Sequence, residues 1–321
     1  MGNNTEKKSP WECVTDRWNA GAEGLLRYSC LSCGAALWVQ KEDVTGICPF
    51  CDSRMEENVS AEETYRPDAV IPFILSRERA AEKYRECAEG AKFLPDDFTP
   101  ERLADAIHGV YVPVWLYDSR VQYNVRAQAE EDNVTSTEVR NSTIQNIYFT
   151  ENHYSVQRSG HVDFENVPAG ASRAVTEDTL SSLAPYYFSD AVPFGKECLS
   201  CYAMAHCDVL PDEVLDIVEN RMLLTLRKNR EQVFKEYQRV LLEDDSMQAL
   251  GHKVRCVLVP VWLCNIRWNG NTYLFAVNGQ TGKTAGTFPV DSRKVKKKKL
   301  IRFLIVAGAA AALSILVFRV K

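Results

Sequence analysis

Gly109-Val110-Tyr111-Val112-Pro113-Val114-Trp115-Leu116-Tyr117-Asp118-Ser119-Arg120 returns 147 residues later as Cys256-Val257-Leu258-Val259-Pro260-Val261-Trp262-Leu263-Cys264-Asn265-Ile266-Arg267, with seven of twelve positions identical. β-Branched and aromatic residues dominate both stretches, so each reads as a strand. A proline at the same place in each predicts an edge or a bulge, because proline has no N–H to give to a ladder. Upstream of each copy a second phrase recurs, Asp68-Ala69-Val70-Ile71-Pro72-Phe73 and Asp190-Ala191-Val192-Pro193-Phe194, followed in both cases by a helical pattern. Together they predict a duplicated unit of strand, helix and long strand. Trp115 and Trp262 are in this reading equivalent core anchors, not a ligand cage.

Between the copies, residues 121–165 read as a β-meander with polar turns at Glu130-Glu131-Asp132 and Arg158-Ser159-Gly160. Residues 166–190 read as loop and a short helix. Ser76 caps a helix whose apolar stripe is Ala80, Ala81, Tyr84, Cys87 and Ala88, and Thr99-Pro100 starts a second short one. A long helix is expected from about Pro211 to Glu243, burying Val214, Val218, Met222, Leu226, Val233, Tyr237 and Leu241. Asn269-Gly270 is a hairpin turn returning Tyr273 to Val277. Asn278-Gly279-Gln280-Thr281-Gly282-Lys283-Thr284 looks like a phosphate loop, but Val277 stands where the pattern needs its first glycine, and strand-like residues follow instead of a helix. It reads as a glycine-rich turn.

Before the first copy lie Cys30-Leu31-Ser32-Cys33 and Cys48-Pro49-Phe50-Cys51, two Cys-x-x-Cys pairs fourteen residues apart. Two such turns on facing hairpins close a tetrahedral thiolate shell around Zn(II) and leave no open coordination position. The expected cofactor is therefore a structural Zn(II) on Cys30, Cys33, Cys48 and Cys51, supplying folding free energy to a module too small for a core of its own. A redox pair would need a strand-to-helix setting and no matching second pair. Cys198, Cys201, His206 and Cys207 can also be written as a ligand set, but all four fall within ten residues; the reading preferred is small core residues on a helix, and a second metal stays open. The five histidines (His108, His153, His161, His206, His252) form no sequence cluster, and no Ser/His/Asp set, zincin helix or nucleotide fingerprint is present. No catalytic residue and no small-molecule substrate is expected.

At the other end, Phe303 to Phe318 (FLIVAGAAAALSILVF) carries no charge. Sixteen residues make roughly 24 Å of helix, and the flanks at 300–319 extend it toward a bilayer core. Seven Lys/Arg precede the run and two follow it, so a single-pass tail anchor with the N-terminal body in the cytoplasm is expected, with Lys296, Lys297, Lys298 and Lys299 against anionic headgroups. The polar first ten residues show no signal peptide. In a reducing compartment the eleven cysteines are metal ligands or small core residues, not disulfides. Residues 1–292 hold 29 Lys/Arg against 43 Asp/Glu, a balance poorly suited to nucleic acid.

The expected fold is α+β. It has an N-terminal segment 1–27, a zinc ribbon 28–56, a linker 57–67, and a first α/β repeat unit 68–170 with the meander. A second α/β unit with the long helix covers 171–292. Both units have antiparallel sheets, and 293–321 holds the basic juxtamembrane segment and single C-terminal transmembrane helix.

The two cysteine pairs, the Val-Pro-Val-Trp-Leu copies, the Asn-Gly-Gln-Thr-Gly turn, Arg158-Ser159-Gly160, Phe164-Glu165-Asn166-Val167-Pro168 and the tail together resemble a family of bacterial membrane proteins with a TFIIB-type zinc ribbon. Some members carry labels such as primosomal or phage replication protein. The resemblance runs from about residue 22 almost to the end. It implies a non-enzymatic adaptor that brings a soluble partner to the membrane in envelope stress, the partner being phage-shock-like or SPFH-type. The alternative is a membrane-tethered nucleic-acid-binding protein, for which the ribbon is poor in bases: between Cys33 and Cys48 only Lys41 stands against Glu42 and Asp43.

Overall fold

The computed structural model describes residues 11–40, 46–58, 63–96, 98, 107–140, 143–302 and 305–306; the short helix expected at Thr99-Pro100 lies outside them. The strands in chain order are β1 Trp11–Cys13, β2 Arg17–Trp18, β3 Leu25–Cys30, β4 Ala36–Gln40, β5 Met55–Glu57, β6 Thr64–Tyr65, β7 Ala69–Val70, β8 Ile107–Arg140, β9 Thr143–Gly170, β10 Val192–Pro193, β11 Ala203–Ala205, β12 Arg239–Trp268, β13 Asn271–Asn278 and β14 Thr284–Gly286. Helices are α1 Arg77–Gly90, α2 Glu177–Leu183 and α3 Pro211–Asn229. One twelve-stranded sheet runs β10-β7-β12-β8-β11-β4-β3-β5, with β9 on β8, β1 and β13 on β12, and β14 on β13.

The repeated stretch is the centre of this sheet. β8 and β12 are antiparallel neighbours, and Val112 pairs with Val259, the residue at the same place in the other copy. A local twofold therefore passes between them. On one side β11 runs parallel to β8 at Val110 and Tyr111; on the other, β7 runs parallel to β12 at Val257 and Leu258, the equivalent positions. Gly170 of β9 pairs with Val114 just as Asn278 of β13 pairs with Val261. Both faces are covered, which is why the stretches are apolar without alternation. Val110, Val112, Val114 and Leu116 face the core shared with Val257, Val259, Val261 and Leu263, under α2 and the cysteine module. Trp262 packs on the other face with α1, and Trp115 with α3.

The prolines are not at an outer edge. Pro113 pairs with Leu258 and Pro260 with Tyr111, in the middle of the sheet. Each carbonyl accepts from the flank opposite the β8/β12 seam, Ala171 N to Pro113 O at 3.1 Å and Gly279 N to Pro260 O at 2.9 Å. The nitrogen of a strand residue faces the same side as its carbonyl, and on that side β11 has ended and β9 has barely begun, or β7 has ended and β13 has barely begun. The missing N–H falls at a handover between two short neighbours.

The fold class and several of its elements need correction. The fold is mostly sheet instead of α+β with a transmembrane helix, and one sheet runs through both copies and the cysteine module. The strand structurally equivalent to β7 is β11, whereas the phrase at 190–194 forms β10, which closes the sheet antiparallel to β7. The meander is a single long hairpin: Glu130 pairs with His153 and Arg158 with Val125 inside the strands. Arg158 finds an ion-pair partner there, its Nη2 meeting Glu236 at 2.6 Å, while Val121, Val125, Ala127 and Ala129 point inward at strict period two. The long helix stops at Asn229, because from Arg239 to Leu250 the chain pairs with β8 almost residue for residue. Val233 and Tyr237 cover this ribbon beside buried Phe234, and Leu241 is 71% exposed.

The transmembrane element is corrected as well. Among the described residues no helix is long and apolar enough to cross a membrane. The described end is a helical segment over 292–302 too rich in Lys and Arg to enter a bilayer, and it is pinned to the loop after α1: Lys294 Nζ donates to Leu94 O at 2.6 Å and to Asp96 Oδ1 at 2.5 Å. Lys296 to Lys299 are exposed, and Lys298 Nζ lies 5.1 Å from the Phe93 ring centroid. Residues 303–304 and 307–321, most of the stretch assigned to the bilayer at 300–319, lie outside the described residues. The tail-anchored, single-pass membrane localisation and the bilayer partner are accordingly withdrawn.

Candidate metal centre

Cys30 ends β3 and Cys33 lies in the turn leading to β4; Cys48 and Cys51 lie in the turn enclosed by the Ile47–Arg54 bridge. The two turns are built alike. The amide of Gly34 donates to Cys30 O at 2.9 Å, and that of Asp52 to Cys48 O at 2.8 Å. Both acceptor loops close through a left-handed residue four positions on, Gly34 at φ 77° and Asp52 at φ 56°. This curvature turns both thiols of each pair to one side.

Cys30 Sγ lies 3.4 Å from Cys51 Sγ and Cys33 Sγ 3.7 Å from Cys48 Sγ, and all four sulfurs fall within 4.8 Å of one another. A tetrahedron with metal–sulfur bonds of about 2.3 Å has sulfur–sulfur edges of about 3.8 Å, so the four thiols could hold one metal ion. Cys30 and Cys48 are buried, Cys51 half-buried and Cys33 exposed. Although Cys33 is exposed as a residue, its sulfur is partly desolvated within the cluster, which pushes the thiol up to about 11. Burial pushes Cys48 higher still, although the amides of Phe50 and Cys51 reach the Cys48 sulfur and pull the other way. Burial also raises Cys51, but hydrogen bonds from the Ser53 side chain and backbone and from Cys30 and Cys33 outweigh it and lower the thiol to about 7. Thiols crowded this way bind a cation as thiolates, and the backbone donors stabilise that form. The setting is turn-to-strand, not the strand-to-helix geometry of a redox pair.

The cysteine module is continuous with the body. β4 pairs antiparallel with β11, which lies on β8. Trp38 Nε1 donates to His206 Nδ1 at 3.1 Å and the amide of His206 to Ala36 O at 2.9 Å. Asn265, buried in the second copy of the repeat, donates through Nδ2 to Pro49 O at 2.7 Å and to Asp52 Oδ1 at 3.2 Å, holding the second cysteine turn against β12. Nothing in its sequence context marks Asn265; its role comes from a contact 213 and 216 residues away. Asn265→Leu should loosen this seam by about 1–3 kcal/mol, because the Pro49 carbonyl loses a buried donor. Faster amide exchange in the turn around Cys48 with unchanged exchange in β8 is the expected readout; uniform loss of protection would contradict it.

The other singled-out residues scatter. Cys198 lies in the 3-10 turn at 196–199 and the exposed Cys201 follows it, and His206 turns to Trp38, so with Cys207 they make no metal-binding group among the described residues. Cys207 packs with Cys13 and Cys256 near Trp115. His252 is buried against Glu219 at 3.1 Å. Glu130, Glu151 and His153 do meet on the long hairpin, but Arg239 bridges the two carboxylates at 2.8 and 2.5 Å and all are partly or fully exposed. The Asn278-Gly279-Gln280 turn is a structural hub: fully buried Asn278 donates to Leu183 O and Pro185 O at 3.0 and 3.1 Å and accepts from the amides of Gln280 and Thr281. Asn278→Ala leaves four backbone groups without that partner and should cost about 3 kcal/mol, read as a lower urea midpoint.

No family model matches the chain, and no solved structure matches it. The chain is similar to the uncharacterized protein YdjG of Bacillus subtilis (strain 168), 25% identical over 235 residues; the alignment spans 71% of this chain and 65% of that protein's length.

Proposed function

We propose that this chain is a non-catalytic adaptor in which Cys30, Cys33, Cys48 and Cys51 carry a structural Zn(II) and the long β-ribbon recruits a soluble protein partner. The observation that carries the reading is the set β9–β8–β12, with strands of 28, 34 and 30 residues against the usual three to ten. Among the described residues no strand pairs with the outer edge of β9, nor with the edge of β12 opposite β8 between Arg239 and Gly251. Open edges of this length are surfaces for strand addition by a partner. The closed thiolate tetrahedron supports a structural metal, since it leaves no position for substrate or water. The partner class implied by the resemblance is phage-shock-like or SPFH-type. The acidic balance of residues 1–292 argues against nucleic acid.

The test is affinity capture with the zinc-loaded chain followed by cross-link mapping. A soluble phage-shock-like or SPFH-type protein recovered with cross-links to 151–167 or 239–251 supports the reading. Recovery of nucleic acid with a steep salt dependence overturns it.

A further inference from the structure

Between α2 and the sheet lies a pocket of about 230 Å³. Val114 of β8 and Val259 of β12 line it from the sheet, Leu180 from α2, and Phe188 from the segment that follows. Those residues belong to the core cluster under α2 or pack against it, so the walls are set by the fold and not by a loop. An apolar cavity of about 150 Å³ takes up benzene, so this one has room for a ring carrying a short substituent.

Its charges are already matched. Among the described residues Glu177 and Arg221 are the only Lys, Arg, Asp or Glu side chains lining the pocket, and they pair with each other. Arg221 Nη1 also donates to Pro168 O at 2.5 Å and Nη2 to Ser181 Oγ at 3.1 Å, while Glu177 accepts from the amide of Gly170 at 2.7 Å. A charged ligand would have to break this set and leave one half-buried charge without its counter-ion. Tyr186 differs from these three side chains. It lines the same pocket, its hydroxyl is buried, and that hydroxyl has no hydrogen-bond partner among the described residues. Burial lifts its pKa above the ordinary phenol value, so it stays a neutral donor. A buried donor without an acceptor is costly, and an acceptor that arrives with a ligand removes that cost. We propose that this pocket binds a small uncharged molecule with an apolar body and one carbonyl, the body on Val114, Leu180 and Val259, and the carbonyl accepting from the Tyr186 hydroxyl as it turns toward the ligand. The site stands independently of the adaptor reading.

The experiment follows isotope-labelled Val and Leu methyl groups of the full chain by NMR as acetophenone, isopropylbenzene or benzoate is added. Expected are saturable shifts of the Val114, Leu180 and Val259 methyls with acetophenone and with isopropylbenzene, and none with benzoate at about ten times the acetophenone midpoint. The two neutral probes differ in their transfer from water, so each is compared with itself across two proteins. Tyr186→Phe should weaken acetophenone about fivefold and leave isopropylbenzene unchanged. The same variant should keep the urea midpoint of the free chain, because the hydroxyl has no partner to lose. No saturable shift at these methyls up to the solubility of acetophenone overturns the site. Benzoate binding as well as acetophenone overturns the assignment of an uncharged ligand. Unchanged acetophenone affinity in Tyr186→Phe, or a lowered urea midpoint, overturns the role of the hydroxyl.

Discussion

Stripping the zinc-loaded chain with a chelator, or replacing Cys48 by Ser, should melt the cysteine module and leave the β8/β12 core folded. The module consists of β3, β4, β5 and two turns, and its few buried apolar side chains, Leu25, Leu37, Val39, Phe50 and Met55 among them, are too few to fold it alone. Metal binding at four thiolates contributes on the order of 10 kcal/mol in comparable modules, so nearly all of the local stability goes with the ion. Without a cation, burial raises the thiols of Cys33 and Cys48 and favours their protonated form. Protons therefore compete with metal, and the metal affinity should fall as pH falls. Amide hydrogen exchange is the measurement. Protection should vanish over 25–40 and 46–57, weaken in β11, which pairs with β4, and persist in β8 and β12. Retained protection in the module after verified metal loss would show that it needs no metal.

Trp115→Ala should be the most damaging single truncation in the body. Trp115 is fully buried, stacks edge-on with Tyr65 at 4.9 Å between centroids, and donates through Nε1 to Val209 O at 2.8 Å. Removing an indole from a closed core costs about 3–5 kcal/mol, and the Val209 carbonyl is left short of a donor for about 1–3 kcal/mol more. A domain of ordinary stability would be close to unfolded. Urea denaturation should show a large fall in midpoint at unchanged slope where the variant still folds. Arg120→Ala on the same strand removes only the exposed pair with Asp163 at 2.6 Å and should leave the midpoint where it was. A small effect of Trp115→Ala would mean that the α3 face is not the stabilising layer.

Trp262→Ala tests the local twofold. Its indole donates to Leu75 O on the α1 side, as Trp115 donates to Val209 O ahead of α3. Comparable destabilisation by the two truncations is expected; a negligible effect at Trp262 would mean that the α1 layer is dispensable.

How much of this was legible depended on the range of each interaction. The four-thiol cluster was legible because a Cys-x-x-Cys turn fixes two thiols locally and a second such turn is the natural complement. The Ser76 cap was legible for the same reason, its hydroxyl accepting from the amide of Arg79 three residues on at 3.3 Å. The Asn269-Gly270 turn followed from Asn269 and Gly270 both standing at positive φ. The helix expected to reach Glu243 failed because Val233, Tyr237 and Leu241 have helical spacing, yet a 34-residue neighbouring strand offers 239–250 a full ladder that no local pattern reveals. The charged clusters at 130–132 and 158–160 read as turns because polar runs usually are; both lie inside the long strands, where Glu130 and Arg158 find ion-pair partners.

By itself the sequence determined the repeat, the four thiols, the caps and the tight turns, all set by covalent geometry and by hydrogen bonds a few residues long. Only the tertiary structure decided that the copies are adjacent, with Val112 on Val259, that both prolines sit at handover points inside the sheet, and that the cysteine module joins the body through β11 and Asn265. Those outcomes rest on strand pairing across 150 to 200 residues and on burial of both sheet faces. Such pairing depends on which partners the rest of the chain leaves available, and no window of neighbouring residues contains that information.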